Sequence, residues 1–212
     1  MKTIYFVRHG ESEGNIGKIR QTTSTQLTEK GIEQAYTIAG RCVHICADSI
    51  ISSTMNRAKQ TAEIISKTVQ LPIEYSELFT ERKRPSEVLG KPKDDPTAVK
   101  INGLIKENFT QSNWKYSDEE NFEDLKKRAL RSLHYLQEKS EENIIVVTHG
   151  YFLKILAACV LFGENLTSTE CEKIITNLLP AHNTGITVFQ YDKLDQENPW
   201  KISTWNDYSH LG

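Results

Sequence analysis

Two short stretches of the chain end in the same way. Residues 5–12, YFVRHGES, and residues 146–150, VVTHG, each run from β-branched or aromatic residues through a histidine into a glycine. Successive side chains of a strand point to opposite faces, so Arg8 and His9 can serve one pocket only if the chain turns at Gly10. In open α/β sheets ligands bind outside the carboxyl ends of the strands, where both turns fall. His9 and His149 therefore pair as candidates for one site. Arg57 joins them: SSTMNRAKQTA places it in the first turn of a helix, where a cation opposes the macrodipole unless an anion binds there. Arg8, closing an apolar strand, must be paired or reach an opening.

Two arginines with two histidines suit a phosphoryl group, whose equatorial oxygens need several preorganised donors during in-line transfer. Unprotonated imidazole, with a reference pKa of ~6.5, is available as a nucleophile near neutral pH. Its other nitrogen must then be bonded to a fixed acceptor that sets the tautomer. A departing oxygen also needs a proton. Glu81, in ELFTERKRP, is a carboxyl that topology brings to the same sheet edge, although residue physics alone favours a solvated glutamate in a charged loop.

The elements that would position these groups alternate. TIYFVR reads as a first buried strand. LTEKGIEQAYTIAGRC follows as a helix, with Thr28 as N-cap and Ile32, Ala35, Ile38 and Ala39 at helical spacing. SIISS and NRAKQTAEIISKTV repeat the strand and helix, and IEYSEL is expected as a third strand. The segment 85–118 differs in texture: Pro85, Gly90, Pro92, Pro96 and Gly103 interrupt it, and VKINGLIKENF is expected as a broken helix. It reads as an excursion over the site, with Lys91, Lys93, Lys100, Lys106, Phe109 and Trp114 shaping the leaving-group side. DEENFEDLKKRALRSLHYLQEKS is a long amphipathic helix carrying Phe122, Leu125, Ala129, Leu133 and Leu136 on one side. NIIVVTHG is a buried strand, YFLKILAACVLFG a helix ending at Gly163, and TGITVFQYD with PWKISTWND two closing strands. Such alternation predicts an α/β three-layer sandwich, its mostly parallel sheet flanked by helices with an antiparallel edge at the end, in one domain over 1–212.

Composition bounds the partners. A formal net charge of -2 argues against nucleic-acid or anionic-membrane binding through bulk electrostatics, so an anion site must be built locally. Only four apolar residues separate Met1-Lys2-Thr3 from Arg8, and no apolar run approaches the roughly 20 residues of a membrane span, which predicts a cytoplasmic protein. Cys42, Cys46, Cys159 and Cys171 read mostly as reduced core thiols. Cys42 and Cys46 stand four apart without the further Cys or His residues that a metal site would need.

Taken together, RHGESEGN, LTEKGIEQA, SSTMNRAKQTAEI, LFTER and VVTHG resemble the histidine phosphatase superfamily, with its phosphoglycerate mutase-like fold. The resemblance runs from Thr3 to the tail. It implies that His9 is a nucleophile forming a phosphohistidine, that Arg8, Arg57 and His149 clamp the phosphoryl oxygens, and that Glu81 protonates the leaving group and then activates water. Asn15, Gln21 and Gly150 would complete the substrate side, although Thr22 stands where the family commonly follows the glutamine with glycine. No metal or organic cofactor is implied. The expected ligand is a small phosphorylated metabolite, with a homodimer left open.

Departures from the family pattern bear on the subclass. Cofactor-dependent mutases resemble E-R-H-Y-G after the acid and carry asparagine after the second H-G, with a longer basic excursion. Here Glu81 is followed by RKRPSEVLGK and Gly150 by Tyr151, which favours hydrolysis over mutase chemistry. A non-catalytic phosphate-binding protein is the other alternative, but Arg8, His9, Arg57, Glu81 and His149 are all present. Tyr151 would narrow the pocket or pack in its helix, and His210 is expected on the tail surface.

Overall fold

The polypeptide is described over residues 1–212 by a computed structural model. Six strands form one sheet: β1 (Lys2–Arg8), β2 (Ser49–Ser52), β3 (Ile73–Tyr75), β4 (Asn143–Thr148), β5 (Ile186–Tyr191) and β6 (Trp200–Asp207). Their spatial order is β3-β2-β4-β1-β5-β6. The first four are parallel, while β5 and β6 close one edge antiparallel. The expected three-layer sandwich is what forms.

Strand alternation builds the layers. Ile144 and Val146 point to one face and pack with Ile4, Phe6 and Phe189 against helices α5 (Phe122–Glu138) and α6 (Gly150–Phe162). Ile145 and Val147 point to the other and meet α2 (Glu29–Cys42) and α3 (Asn56–Val69) through Ile38, Ala58, Ala62 and Ile65. All five apolar residues expected along α5 are buried, each adding about 1.5–3 kcal/mol when fully removed from water, Ala129 less. Ile32 does not follow its stripe and lies exposed on α2, whereas Thr28 caps that helix as expected, its Oγ1 accepting from Gly31 N at 3.0 Å. Cys42, Cys159 and Cys171 are buried thiols, and burial pushes each up to about 12; Cys46 is exposed.

Three local expectations change. IEYSEL is a strand only as far as Tyr75: Ser76 Oγ accepts from Leu78 N, and a 3-10 turn over Glu77–Phe79 drives Phe79 into the core. Within 85–118 a continuous helix, α4 (Pro96–Glu107), replaces the broken one, because Asp95 caps it, Pro96 sits where no N–H is needed, and Gly103 has open space around it. A further helix, α7 (Ser168–Asn177), is not announced by apolar spacing, although Thr167 and Glu170 spell a capping box. One short turn, α1 (Glu13–Ile16), follows β1.

Segment 85–118 carries a small core of its own. Val88, Ala98, Ile101 and Ile105 are buried together with Trp114 and Tyr116 packed on them. Trp114 therefore packs inside the excursion, Phe109 packs on Phe122, and Lys100 and Lys106 face solvent; of the six residues expected on the leaving-group side, only Lys93 lines the cleft. The amphipathic face of α4 is taken up by this satellite core.

Candidate active site

Register brings the two histidine turns together. β1 and β4 are neighbours with Arg8 opposite Thr148, so His9 and His149 emerge side by side at the carboxyl edge, and His9 N donates to Thr148 O at 3.0 Å. Their ring centroids are 5.0 Å apart. The turn at Gly10 is held by backbone proximity: a Cβ there would stand 2.4 Å from Gly31 O, and one on Gly31 would stand 1.9 Å from Glu11 O. Only glycines permit the start of α2 to approach this closely. Gly10 N also donates to Thr61 Oγ1 at 3.1 Å, tying the turn to α3.

His9 is buried, and its Nδ1 donates to Gly10 O at 2.7 Å. That bond leaves Nε2 as the lone-pair nitrogen, which receives Arg57 Nε at 3.2 Å. The tautomer required of a nucleophile is thus fixed from both sides. Burial, then Arg57 and Arg8, hold the His9 pKa well below the usual histidine value, so the ring is neutral at physiological pH. His149 is depressed likewise by burial and the neighbouring cations. Its Nε2 is 2.8 Å from Ser53 Oγ, while its Nδ1 is buried without a partner in the protein.

Both arginines are held in surroundings that disfavour their charge. Burial lowers Arg57 to about 10, with Arg8 adding repulsion and Glu81 opposing it; Arg8 is lowered mainly by burial, again opposed by Glu81. Neither makes an ion pair. Arg57 Nη1 donates to Thr22 O at 3.1 Å and Arg8 Nη1 to Ala181 O, while Arg8 Nε is buried and unpartnered. A Cβ on Gly150 would lie 3.3 Å from that Nε, so glycine keeps the guanidinium accessible. Unpartnered buried donors of this kind are rare in a completed core and mark a place for an oxyanion.

Glu81 lies in the loop after the 3-10 turn. Its Oε1 accepts from Phe152 N at 2.9 Å and Arg82 N at 3.0 Å, and its Oε2 from Tyr151 N at 3.2 Å. It is thus fixed at the start of the helix that His149 precedes, and it is not a freely solvated glutamate. Asn15 Oδ1 accepts from Ser12 N, Ser12 Oγ and Asn183 Nδ2, which leaves its own Nδ2 without a protein partner. Gln21 presses against Gly14 and lines the cleft, as do Gly150 and Tyr151. The Tyr151 hydroxyl accepts from Arg82 Nη1 at 3.3 Å, so this residue does face the pocket. His210, expected on the surface, is instead half-buried between Arg41 and Thr184.

These groups share an open cleft of about 1210 Å3, reached by Arg8, His9, Arg57 and Glu81, with His149 buried behind them. Nine lysines and arginines line it against three glutamates, so the local field is positive in a chain of net charge -2. Sequence reasoning missed four contributors. Ser53 and Thr61 lie inside SSTMNRAKQTA with nothing local to mark them, Asn183 binds His9 O at 2.9 Å from the turn before β5, and Arg128 reaches the Glu81 loop from α5. Only the turn-forming Asn183 and Gly185 of HNTG could have drawn attention to this segment.

Fold and site together define an α/β protein that gathers two arginines, two histidines and a glutamate at one sheet edge. The histidine phosphatase superfamily (branch 1) matches residues 4–208, and the chain belongs to that family. Among its relatives, the probable phosphoglycerate mutase GpmB of Salmonella arizonae is 30% identical, covering 100% of this chain and 95% of the relative. Bacillus stearothermophilus YhfR has a similar structure, with TM-score 0.82 and 25% identity over 100% of both chains. A phosphoserine phosphatase from Entamoeba histolytica, solved with phosphoserine, superposes at TM-score 0.76 with 25% identity, also over 100% of both chains.

Proposed function

We propose that the protein is a phosphomonoesterase that works through a phosphohistidine on His9. The observation that carries this reading is the fixed His9 tautomer, Nδ1 on Gly10 O and Nε2 toward Arg57, beside two buried nitrogens without protein partners, Arg8 Nε and His149 Nδ1. Nε2 attacks phosphorus while the ester P–O bond breaks and protonated Glu81 delivers its proton to the departing oxygen. Arg8, Arg57, His149 and the Asn15 amide stabilise the equatorial oxygens. In the second half the Glu81 carboxylate takes a proton from water, the water oxygen bonds to phosphorus, the P–N bond breaks, and inorganic phosphate leaves neutral His9 behind.

Hydrolysis is favoured over mutase chemistry by the structural relative named as a phosphatase and by the departures after Glu81 and Gly150. The substrate is a small metabolite carrying a second oxyanion. Arg20 and Arg84 line the same cleft without a carboxylate partner, and the Entamoeba relative was solved with phosphoserine, which has such a group. Matched esters test this: 3-phosphoglycerate should exceed glycerol 3-phosphate in kcat/KM, and phosphoserine should exceed phosphoethanolamine, each by about tenfold or more. Equal values would remove the second oxyanion. The intermediate is tested by acid-labile labelling from a phosphoester, expected in the natural protein and lost in His9→Ala together with on the order of 10⁴-fold in turnover. Label surviving that change would move the nucleophile elsewhere. Isomerisation of 3-phosphoglycerate in the same assay, at rates matching phosphate release, would turn the assignment to a mutase.

A further inference from the structure

Arg128 never reaches the cleft, yet it holds the loop directly before Glu81 and, through Glu120, again after it. Its Nη1 donates to Leu78 O at 3.0 Å and to Thr80 O at 2.8 Å, the carbonyl immediately before Glu81. Its guanidinium lies 3.9 Å from the centroid of the Phe152 ring, and Phe152 N is one of the groups that fix the Glu81 carboxylate. The remaining face of the guanidinium is held by Glu120 in a bidentate pair, Nε to Oε1 at 2.7 Å and Nη2 to Oε2 at 2.8 Å. Glu120 in turn accepts from Lys83 N at 2.8 Å and donates its own N–H to Lys83 O at 3.0 Å. The backbone is thus fastened at Thr80 and again at Lys83, one residue before Glu81 and two after it.

We infer that the Arg128–Glu120 pair is a positioning device for the acid, setting where the Glu81 carboxyl stands relative to the departing oxygen. The inference rests on Glu81 acting as proton donor. A planar fork of five donors is well matched to such a brace, since it meets two carbonyls on one edge, a carboxylate on another and an aromatic face on its plane, which an ammonium cannot do. The pair closes a gap between α5 and the loop across 8–50 residues of sequence, and both side chains are mostly removed from water. Neither side chain hydrogen-bonds to Arg8, His9, Arg57 or His149, so the loss of the pair should show in kcat/KM, which reports the step that expels the leaving group, chiefly where the departing oxygen needs a proton.

A leaving-group series tests this. Hydrolysis of nitrophenyl phosphate hardly needs a proton on the departing oxygen, whereas an alkyl phosphate does. Arg128→Met is expected to lower kcat/KM for the alkyl ester at least tenfold more than for nitrophenyl phosphate, with the loss in kcat and little change in KM. Arg128→Lys should give an intermediate ratio. In a Glu81→Gln background the same Arg128→Met change should no longer alter the ratio. A merely structural role predicts proportional losses on both esters and an unchanged ratio, which overturns the inference; so does an effect that persists in full without Glu81. Should Arg128→Met fail to fold, Glu120→Gln, which keeps volume and removes the charge, reads the same ratio with the same expected direction. If Glu81→Gln shows no leaving-group dependence, the acid assignment fails and the brace falls with it. If Glu81→Gln shows it and neither brace variant does, only the brace is wrong.

Discussion

The floor of the cleft and its acid-bearing wall handle charge in opposite ways. On the floor, Arg57 is buried and Arg8 half-buried beside two histidines, with no ion pair and with the buried Arg8 Nε left unpartnered. On the wall, Arg82 is matched by Glu119 at 2.8 Å, Arg128 by Glu120 at 2.7 Å and Lys83 by Asp118 at 3.1 Å. In the proposed mechanism the unfavourable burial of the floor is offset when a phosphoryl group arrives. The wall is complete by itself. Under the proposed mechanism the purposes differ: the first region would bind the part common to all phosphoesters, and the second would keep the proton donor in place.

Breaking one cation in each region should therefore give different kinds of damage. The largest effect on folding is expected for Arg82→Gln, because Glu119, only 1% exposed, would be left as an uncompensated buried charge. A loss of about 3–5 kcal/mol in unfolding free energy, measured by denaturant titration, is the size such broken pairs show. Arg57→Gln should do the reverse. It should leave stability unchanged or raised, since a desolvated guanidinium facing Arg8 is removed, while kcat falls about 10²–10³-fold for good and poor leaving groups alike. If Arg57→Gln destabilised as much as Arg82→Gln, the contrast between the regions would fail.

A smaller effect sharpens the account of the floor. His9 and His149 have folded-state pKa values below the unfolded ~6.5, so beneath that pH the unfolded chain binds more protons. Stability present above pH ~6.5 is then lost as pH falls, by up to ~1.4 kcal/mol per pH unit for each histidine, until the folded values are reached. The difference in slope between the natural protein and His9→Ala over about pH 5–7 isolates one such share. Parallel curves would mean that His9 is not held neutral by its surroundings. Smaller again is Asn183→Ala, which removes the donor to His9 O. About 1 kcal/mol of stability should go, with a modest fall in kcat.

Much of the fold was legible because periodicity reports burial directly. The α5 stripe and the NIIVVT strand carried unambiguous patterns, and both formed where expected, α5 being trimmed to Phe122–Glu138 by its Asn121 cap. Where patterns were short they misled: IEYSEL lost half its strand to a serine cap, and the excursion's glycine and prolines concealed a helix whose apolar face has its own partner in Val88. The aromatic and basic residues of that excursion looked directed at the site, but a satellite core had already claimed Trp114.

The candidate site divides along the same line. Sequence by itself determined most of the chemistry on offer, because Arg8, His9, Arg57 and His149 sit at strand ends and helix starts that a parallel α/β sheet brings to one edge, with Glu81 in the loop beyond β3. Tertiary structure alone decided how they are used. The choice of β4 as the neighbour of β1 sets the two histidines 5.0 Å apart, Arg57 reaches His9 Nε2 from 48 residues away, and Arg128, far along the chain from Glu81, fastens the loop that carries that carboxylate. Such long-range hydrogen bonds leave no local imprint on the chain: an arginine on an amphipathic helix looks the same whether it meets water or two carbonyls.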